Sequence, residues 1–194
     1  IFNLICIISI FNIGKLIKNE SVGIWGSIIF TLSSLILNLR SDYLIDLSLT
    51  AFCTLNLLFF AKWYLDYKNN ILFPILTGIS LGLVFLTKPT GIILFFLPFL
   101  LIFFKLLKSK GDKFIKFKVL ILFIFSFVII IYPWFSRHWL TILTSTINAW
   151  NWGINYQDGF EKNSYQNWLY YFHKLPLIFG LLNSSILVII FLIE

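Results

Sequence analysis

Of the 194 residues, 59% are hydrophobic and 20% aromatic, only 12% are charged, and the mean hydropathy is +0.92. A soluble domain is about 45–50% apolar and about 25% charged, so this composition excludes a water-soluble globular domain and places most of the chain in lipid. The formal net charge of +7 does not indicate a nucleic-acid partner, because the lysines fall in short stretches between apolar runs, where they set membrane orientation.

A membrane-spanning helix needs about 20 mainly apolar residues. The predicted segments are 1–14, 22–39, 43–64, 71–87, 91–104, 117–135 and 176–193. Runs this apolar read as helices, because an open sheet cannot satisfy its edge groups in lipid. The expected fold is therefore all-α, a polytopic transmembrane bundle of about seven segments forming one domain over 1–194. Cys6 and Cys53 lie inside apolar runs with no ligand-spaced partner and read as small packing residues. The chain opens on Ile1 within an apolar run and closes on Glu194, which reads as an internal fragment of a larger protein.

Alternate connections carry Lys15 and Lys18, then Lys62 and Lys68, then Lys105, Lys108, Lys110, Lys113, Lys116 and Lys118. The opposite face has Arg40, Lys88, Arg137, Lys162 and Lys174. The lysine-rich face is expected to be cytoplasmic. The first segment then runs inward, which expects at least one helix and an outer loop ahead of Ile1.

The external face gathers the chemically interesting residues. Arg40-Ser-Asp42-Tyr43 leads into the third segment, which carries Asp46 one turn inside. Asp42 and Asp46, spaced i and i+4, share one helix face. They read either as acids favoured at a helix N-terminus behind Ser41 or as part of a polar site. A carboxylate inside a spanning segment usually sits in a site or an ion pair, and Arg40 and Lys88 are the available partners of Asp46. Lys88 closes the fourth segment and Pro89 opens the fifth with almost no loop between them. The lysine is either a helix-end anchor complementing the dipole or a cation held at headgroup level for a lipid phosphate. Gly78 and Gly82 form a small-xxx-small motif for close helix packing, and Pro98 is expected to kink the fifth segment midway.

Tyr132-Pro-Trp-Phe-Ser-Arg137-His138 leaves the sixth segment, and residues 136–175 are expected to form a long external, aromatic-rich interfacial loop. Five of the seven tryptophans fall between Trp134 and Trp168. Within that stretch, 141–150 and 165–173 are expected as short interfacial helices. Arg137 is a candidate anion contact; His138 and His173 are too distant in sequence to suggest a metal pair; Asp158 and Glu161 read as a solvated face. No Gly-rich phosphate loop, nucleophile elbow or metal-ligand motif occurs.

Three stretches, in order, resemble the GT-C membrane glycosyltransferases, in particular the protein O-mannosyltransferase and lipid A aminoarabinose transferase group with its RgtA/B/C/D-like sugar transferases. They are Arg40-Ser-Asp-Tyr-Leu-Ile-Asp-Leu-Ser-Leu-Thr50, Gly78-Ile-Ser-Leu-Gly-Leu-Val-Phe-Leu-Thr-Lys-Pro-Thr-Gly91 and Tyr132-Pro-Trp134. The middle one is the most specific. The resemblance implies inverting transfer of a sugar from a polyprenyl-phosphate donor to a lipid, polysaccharide or protein acceptor on the external face of a membrane, expected to be a bacterial inner membrane. It implies Lys88 as a donor-phosphate contact, with Arg137 as a second, and Arg40, Asp42, Asp46 and His138 as supports of the external cavity. The general base implied by the family is an acid in the first external loop, expected before Ile1, so Asp46 is not given that role. The lipid-linked sugar is the one co-substrate implied, and a divalent metal stays open. The alternatives are a membrane transporter or lipid flippase, for which midplane charges and broken helices are expected, and a non-catalytic scaffold.

Overall fold

A computed structural model describes residues 1–33, 36, 45–66, 70–108, 113–155 and 165. Among these, every element is a helix, the arrangement that closes backbone hydrogen bonds within each segment and so suits a chain in lipid. The predicted segment 176–193, with Arg40, Asp42, Asp158, Glu161 and His173, lies outside the described residues. Among the described residues, three stretches are long and apolar enough to cross a membrane, Asp46–Leu65, Pro89–Leu106 and Phe117–Ser145; three further apolar helices are shorter.

Helices α1 (Phe2–Ile17) and α2 (Glu20–Leu32) form a hairpin. Asn19 caps α2 by accepting from the Val22 N–H at 3.0 Å, which satisfies one of the four N–H groups that a helix start leaves open. Glu20 adds a carboxylate at the positive end of the dipole and meets Lys15 at 2.6 Å. The two backbones approach so closely at the turn that a Cβ on Gly14 would sit 2.6 Å from Gly23 Cα. Cys6 is fully buried on α1, and Cys53, on the helix that begins at Ile45, is half-buried.

Helix α3 (Ile45–Leu65) runs antiparallel to α4 (Leu72–Thr87). Midway along their seam, the buried Asn56 donates through Nδ2 to the Thr77 carbonyl at 2.7 Å and to Ser80 Oγ at 2.8 Å. Such bonds hold helices together where lipid removes the hydrophobic driving force between them. A 3₁₀ segment, Pro89–Phe95, follows a single extended residue, Lys88, and continues into α5 (Phe96–Lys108). The fifth segment thus departs from the expected single helix kinked at Pro98. The backbone changes pitch at Phe96, and Pro98 falls in the first turn of α5, where its missing N–H removes little from the ladder.

Helix α6 (Lys113–Asn155) lies parallel to α4 and packs on its small-residue stripe. A Cβ on Gly78 would overlap Ser126 Oγ and the Phe123 carbonyl, and one on Gly82 would come within 2.7 Å of Ile130 Cγ2. The expected close-approach motif is therefore the seat of α6. The helix does not end at Phe135. It passes through Pro133 and continues to Asn155, so residues 136–155 are helical rather than loop, and 141–150 is part of this one rod rather than a separate short helix. Charges such as Arg137 end an apolar run without ending a helix. The first glycine after Pro133 is Gly153, still inside the described helix.

These directions place Lys15, Lys18, Lys62, Lys105, Lys108 and Lys118 at one end of the bundle and Asp46, Lys88, Arg137 and His138 at the other. Two apolar clusters hold the ends. Phe60, Trp63, Ile102, Leu106 and Val119 sit toward the lysines, and Leu81, Val84 and Phe95 lie toward Lys88.

Candidate functional site

The site is built where three chain segments meet. Asp46 stands in the first described turn of α3, where the helix dipole favours an acid; the carbonyl of Asp46 accepts from Thr50 Oγ1 at 2.7 Å. Lys88 is the C-cap of α4, with φ −153° and ψ 107°, and its N–H donates to the Val84 carbonyl at 2.9 Å. Pro89 begins the 3₁₀ turn at once, and the Gly91 N–H closes it onto the Lys88 carbonyl at 2.8 Å. Gly91 is required by space: a Cβ there would lie 2.9 Å from Val84 Cγ1 and 3.0 Å from Leu49 Cδ1. The turn is thereby pressed against α3, one helical turn below Asp46.

This geometry brings the Lys88 ammonium to 3.4 Å from Asp46 Oδ1. The side chains are 51% and 45% exposed, so the pair is a half-solvated contact worth at most about 1 kcal/mol. An ammonium has three N–H donors, and Asp46 is its one ion-pair partner among the described residues. The arrangement orients a cation at the mouth of the bundle without neutralising it in a dry interior.

Beside the pair, Phe85 packs against Phe127 at 6.2 Å and against Phe135 at 6.1 Å between ring centroids. Phe135 brings the end of the Tyr132-Pro-Trp motif to the same level. Beyond it, His138 lies against the Trp134 ring at 5.4 Å, and Arg137 is exposed. Neither makes a hydrogen bond or ion pair with Lys88 or Asp46 among the described residues. Thus Asp46 and Lys88 are joined directly, whereas Arg137 and His138 share only their end of the bundle. Arg40 and Asp42 fall outside the described residues. No group of three or more His, Cys, Asp or Glu side chains suited to a metal occurs among the described residues.

Sequence reasoning quoted Gly91 and Leu49 within its motifs but did not foresee that they set how close the Lys88 turn comes to α3. The Pro-Thr-Gly that follows the lysine is the visible signal, since a glycine two residues after a proline marks a tight turn. Residues 1–136 match the family described as dolichyl-phosphate-mannose-protein mannosyltransferase. The matched span includes Asp46, the Gly78 and Gly82 stripe and Lys88, and ends one residue before Arg137. No curated protein and no solved structure matches the chain.

Proposed function

The chain belongs to this protein mannosyltransferase family of membrane glycosyltransferases, and from that premise we propose that it transfers a sugar from a polyprenyl-phosphate donor at the end of the bundle that carries Lys88. The observation that supports this reading most directly is the Lys88–Asp46 pair, a cation aimed by a carboxylate and still half exposed. In the transfer, the acceptor hydroxyl attacks the anomeric carbon and the bond from that carbon to the donor phosphate breaks. Charge then grows on the departing polyprenyl phosphate, and a fixed cation beside it lowers the barrier. Lys88 supplies that cation. Asp46 acts as its positioning residue, holding the ammonium at the mouth until phosphate oxygens replace or join the carboxylate.

The acceptor proton needs a base, and Asp46 is not assigned to it, because its carboxylate is committed to Lys88. The acceptor is a hydroxyl-bearing lipid, polysaccharide or protein on the same side of the membrane, which is the external side by the lysine bias of the opposite end. Arg137, exposed near Phe135, is a second contact for the donor phosphate, and His138 helps wall the cavity.

The test is transfer from polyprenyl-phosphate mannose by the intact protein carrying Lys88→Ala or Lys88→Arg. A hydrogen bond to a charged group is worth about 1.5–3 kcal/mol, so alanine should weaken donor binding roughly ten- to hundredfold, while arginine retains part of it. Unchanged donor affinity and turnover in Lys88→Ala would remove the lysine from the site. Uptake of substrate into proteoliposomes without sugar transfer would replace the transferase reading with a transporter or flippase.

A further inference from the structure

An apolar cavity lies away from Lys88, between α3, α5 and α6. It measures about 260 Å³ and is lined by Trp63, Phe99, Phe103, Leu120, Phe123 and Ile124 among others, none of them ionisable. That volume falls below the roughly 300–1,000 Å³ of compact small-molecule pockets. Its wall on α5 runs from Phe96 to Phe103, about 10 Å at 1.5 Å per residue. It is thus a narrow apolar slot, opening past the exposed Phe96, Phe103 and Ile124 toward the surrounding lipid.

The lysine end of the slot has a different chemistry. Lys105, two residues beyond Phe103, donates to the Tyr64 carbonyl and stands over the Tyr64 ring at 3.8 Å, next to Trp63. Lys62 adjoins Trp63 on the other side and lies over the Phe73 ring at 5.5 Å. Lys108 and Lys118 are exposed and flank Leu106 and Val119, which pack in the same cluster as Trp63. The described carboxylates at this end are Glu20, paired with Lys15, and Asp66. Four lysines therefore stand at the lysine end of the helices that line the slot, with Asp66 as the described acid beside Leu65.

We propose that this slot binds an anionic phospholipid of the leaflet at the lysine end, one acyl chain lying in the slot and the phosphate among Lys62, Lys105, Lys108 and Lys118. Basic pockets between membrane helices select acidic headgroups in this way, and the lysine stems bury against apolar surface while their ammonium groups stay at the headgroup level. The polyprenyl donor does not satisfy the same chemistry. With its phosphate at Lys88 it presents only hydrocarbon to the lysine end and supplies no phosphate there. The inference does not depend on the transfer reaction.

The experiment uses the intact protein, delipidated in a neutral detergent, with phosphatidylglycerol or phosphatidylcholine added. Retained lipid is counted by native mass spectrometry and thermal unfolding is followed in parallel. Phosphatidylglycerol should be retained and should raise the melting temperature, and phosphatidylcholine should do neither. Lys108→Gln and Lys118→Gln should each weaken retention about fivefold, and Leu120→Trp, which fills the slot with apolar bulk, should abolish it while leaving the protein folded. Lys15→Gln, at the same end but on the α1–α2 hairpin, should leave retention unchanged. Equal retention of the two lipids, or loss in Lys15→Gln equal to that in Lys118→Gln, would overturn the site. So would displacement of phosphatidylglycerol by a polyprenyl phosphate that still binds Lys118→Gln, which would make the slot the seat of the donor chain.

Discussion

Gly82→Ala is the sharpest test of how α4 and α6 fit together. The new Cβ would stand 2.7 Å from Ile130 Cγ2 and 2.8 Å from Ile130 Cβ. Carbon atoms pack best at about 3.5–4.0 Å, so α6 must retreat by about 1 Å at this level. The Ile130 Cβ is fixed to its backbone, and no rotamer relieves it. Overpacking of this kind costs about 1–3 kcal/mol, and the helix preference of alanine over glycine returns at most about 1 kcal/mol, leaving a net loss of roughly 1–2 kcal/mol. Thermal unfolding in detergent, followed by tryptophan fluorescence, measures it. Gly26→Ala is the control, because its Cβ meets only Ile10 Cγ2 at 3.3 Å; it should be close to neutral. Ile130→Ala added to Gly82→Ala should recover part of the loss, since it removes Cγ2 and keeps Cβ. A Gly82→Ala protein as stable as the parent, or less affected than Gly26→Ala, would refute a close α4–α6 seam.

The Asp46–Lys88 pair separates positioning from binding. Asp46→Asn should cost at most about 1 kcal/mol in stability and weaken donor affinity less than Lys88→Ala, and the double variant should match Lys88→Ala in donor affinity; additive losses would show that Asp46 acts independently of the lysine. Asn56→Leu should destabilise by about 0.6 kcal/mol and by no more than about 1.7 kcal/mol. Its Oδ1 has no hydrogen-bond partner among the described residues, and Ser80 Oγ already donates to Leu76 and Thr77 carbonyls, so a melting experiment showing a larger loss would mean the asparagine has a further role. At the α1–α2 turn, Lys15 holds the exposed Glu20 carboxyl below its ordinary range through a hydrogen bond and its charge. A depressed folded pKa means that the contribution of the pair is present above the unfolded carboxylate pKa and is lost as pH falls through the folded value. NMR titration of Glu20 should show the low midpoint, and Lys15→Ala should return it to the usual carboxylate range.

The ends of α3 and α4 were legible because ionisable residues bound apolar runs there. An acid opening one helix and a lysine closing its antiparallel neighbour are bound to share an end, so the Asp46–Lys88 contact follows from topology. Gly78 and Gly82 were legible for a similar reason, since four-residue spacing places both on one face. Hydropathy was blind to what happens inside or beyond an apolar run. It hid Asn56, which reads as a minor interruption until its amide is placed on Thr77 and Ser80. It also missed the pitch change at Phe96, because 3₁₀ and α segments share the same composition. Most of all, it ended α6 at Phe135, where the side chains turn amphipathic while the backbone ladder continues. The Gly14–Gly23 approach was not anticipated, because the two glycines belong to different helices and share no spacing rule.

Helix α6 has 43 residues, about 65 Å of rod at 1.5 Å per residue, against a hydrocarbon core about 30 Å thick. Its tightest grip on the rest of the bundle is at Gly78 and Gly82, near Ser126 and Ile130. From Ser126 to Asn155 the helix extends about 43 Å, a boom pivoted on that grip. A tilt of about 10° there sweeps its tip through roughly 7 Å, while Phe135, closer to the pivot, shifts by only about 2 Å. Ile142 on this extension is only 7% exposed, so a tilt of that size must carry the packing around Ile142 with it, while the Lys88 turn, on another helix, need not follow.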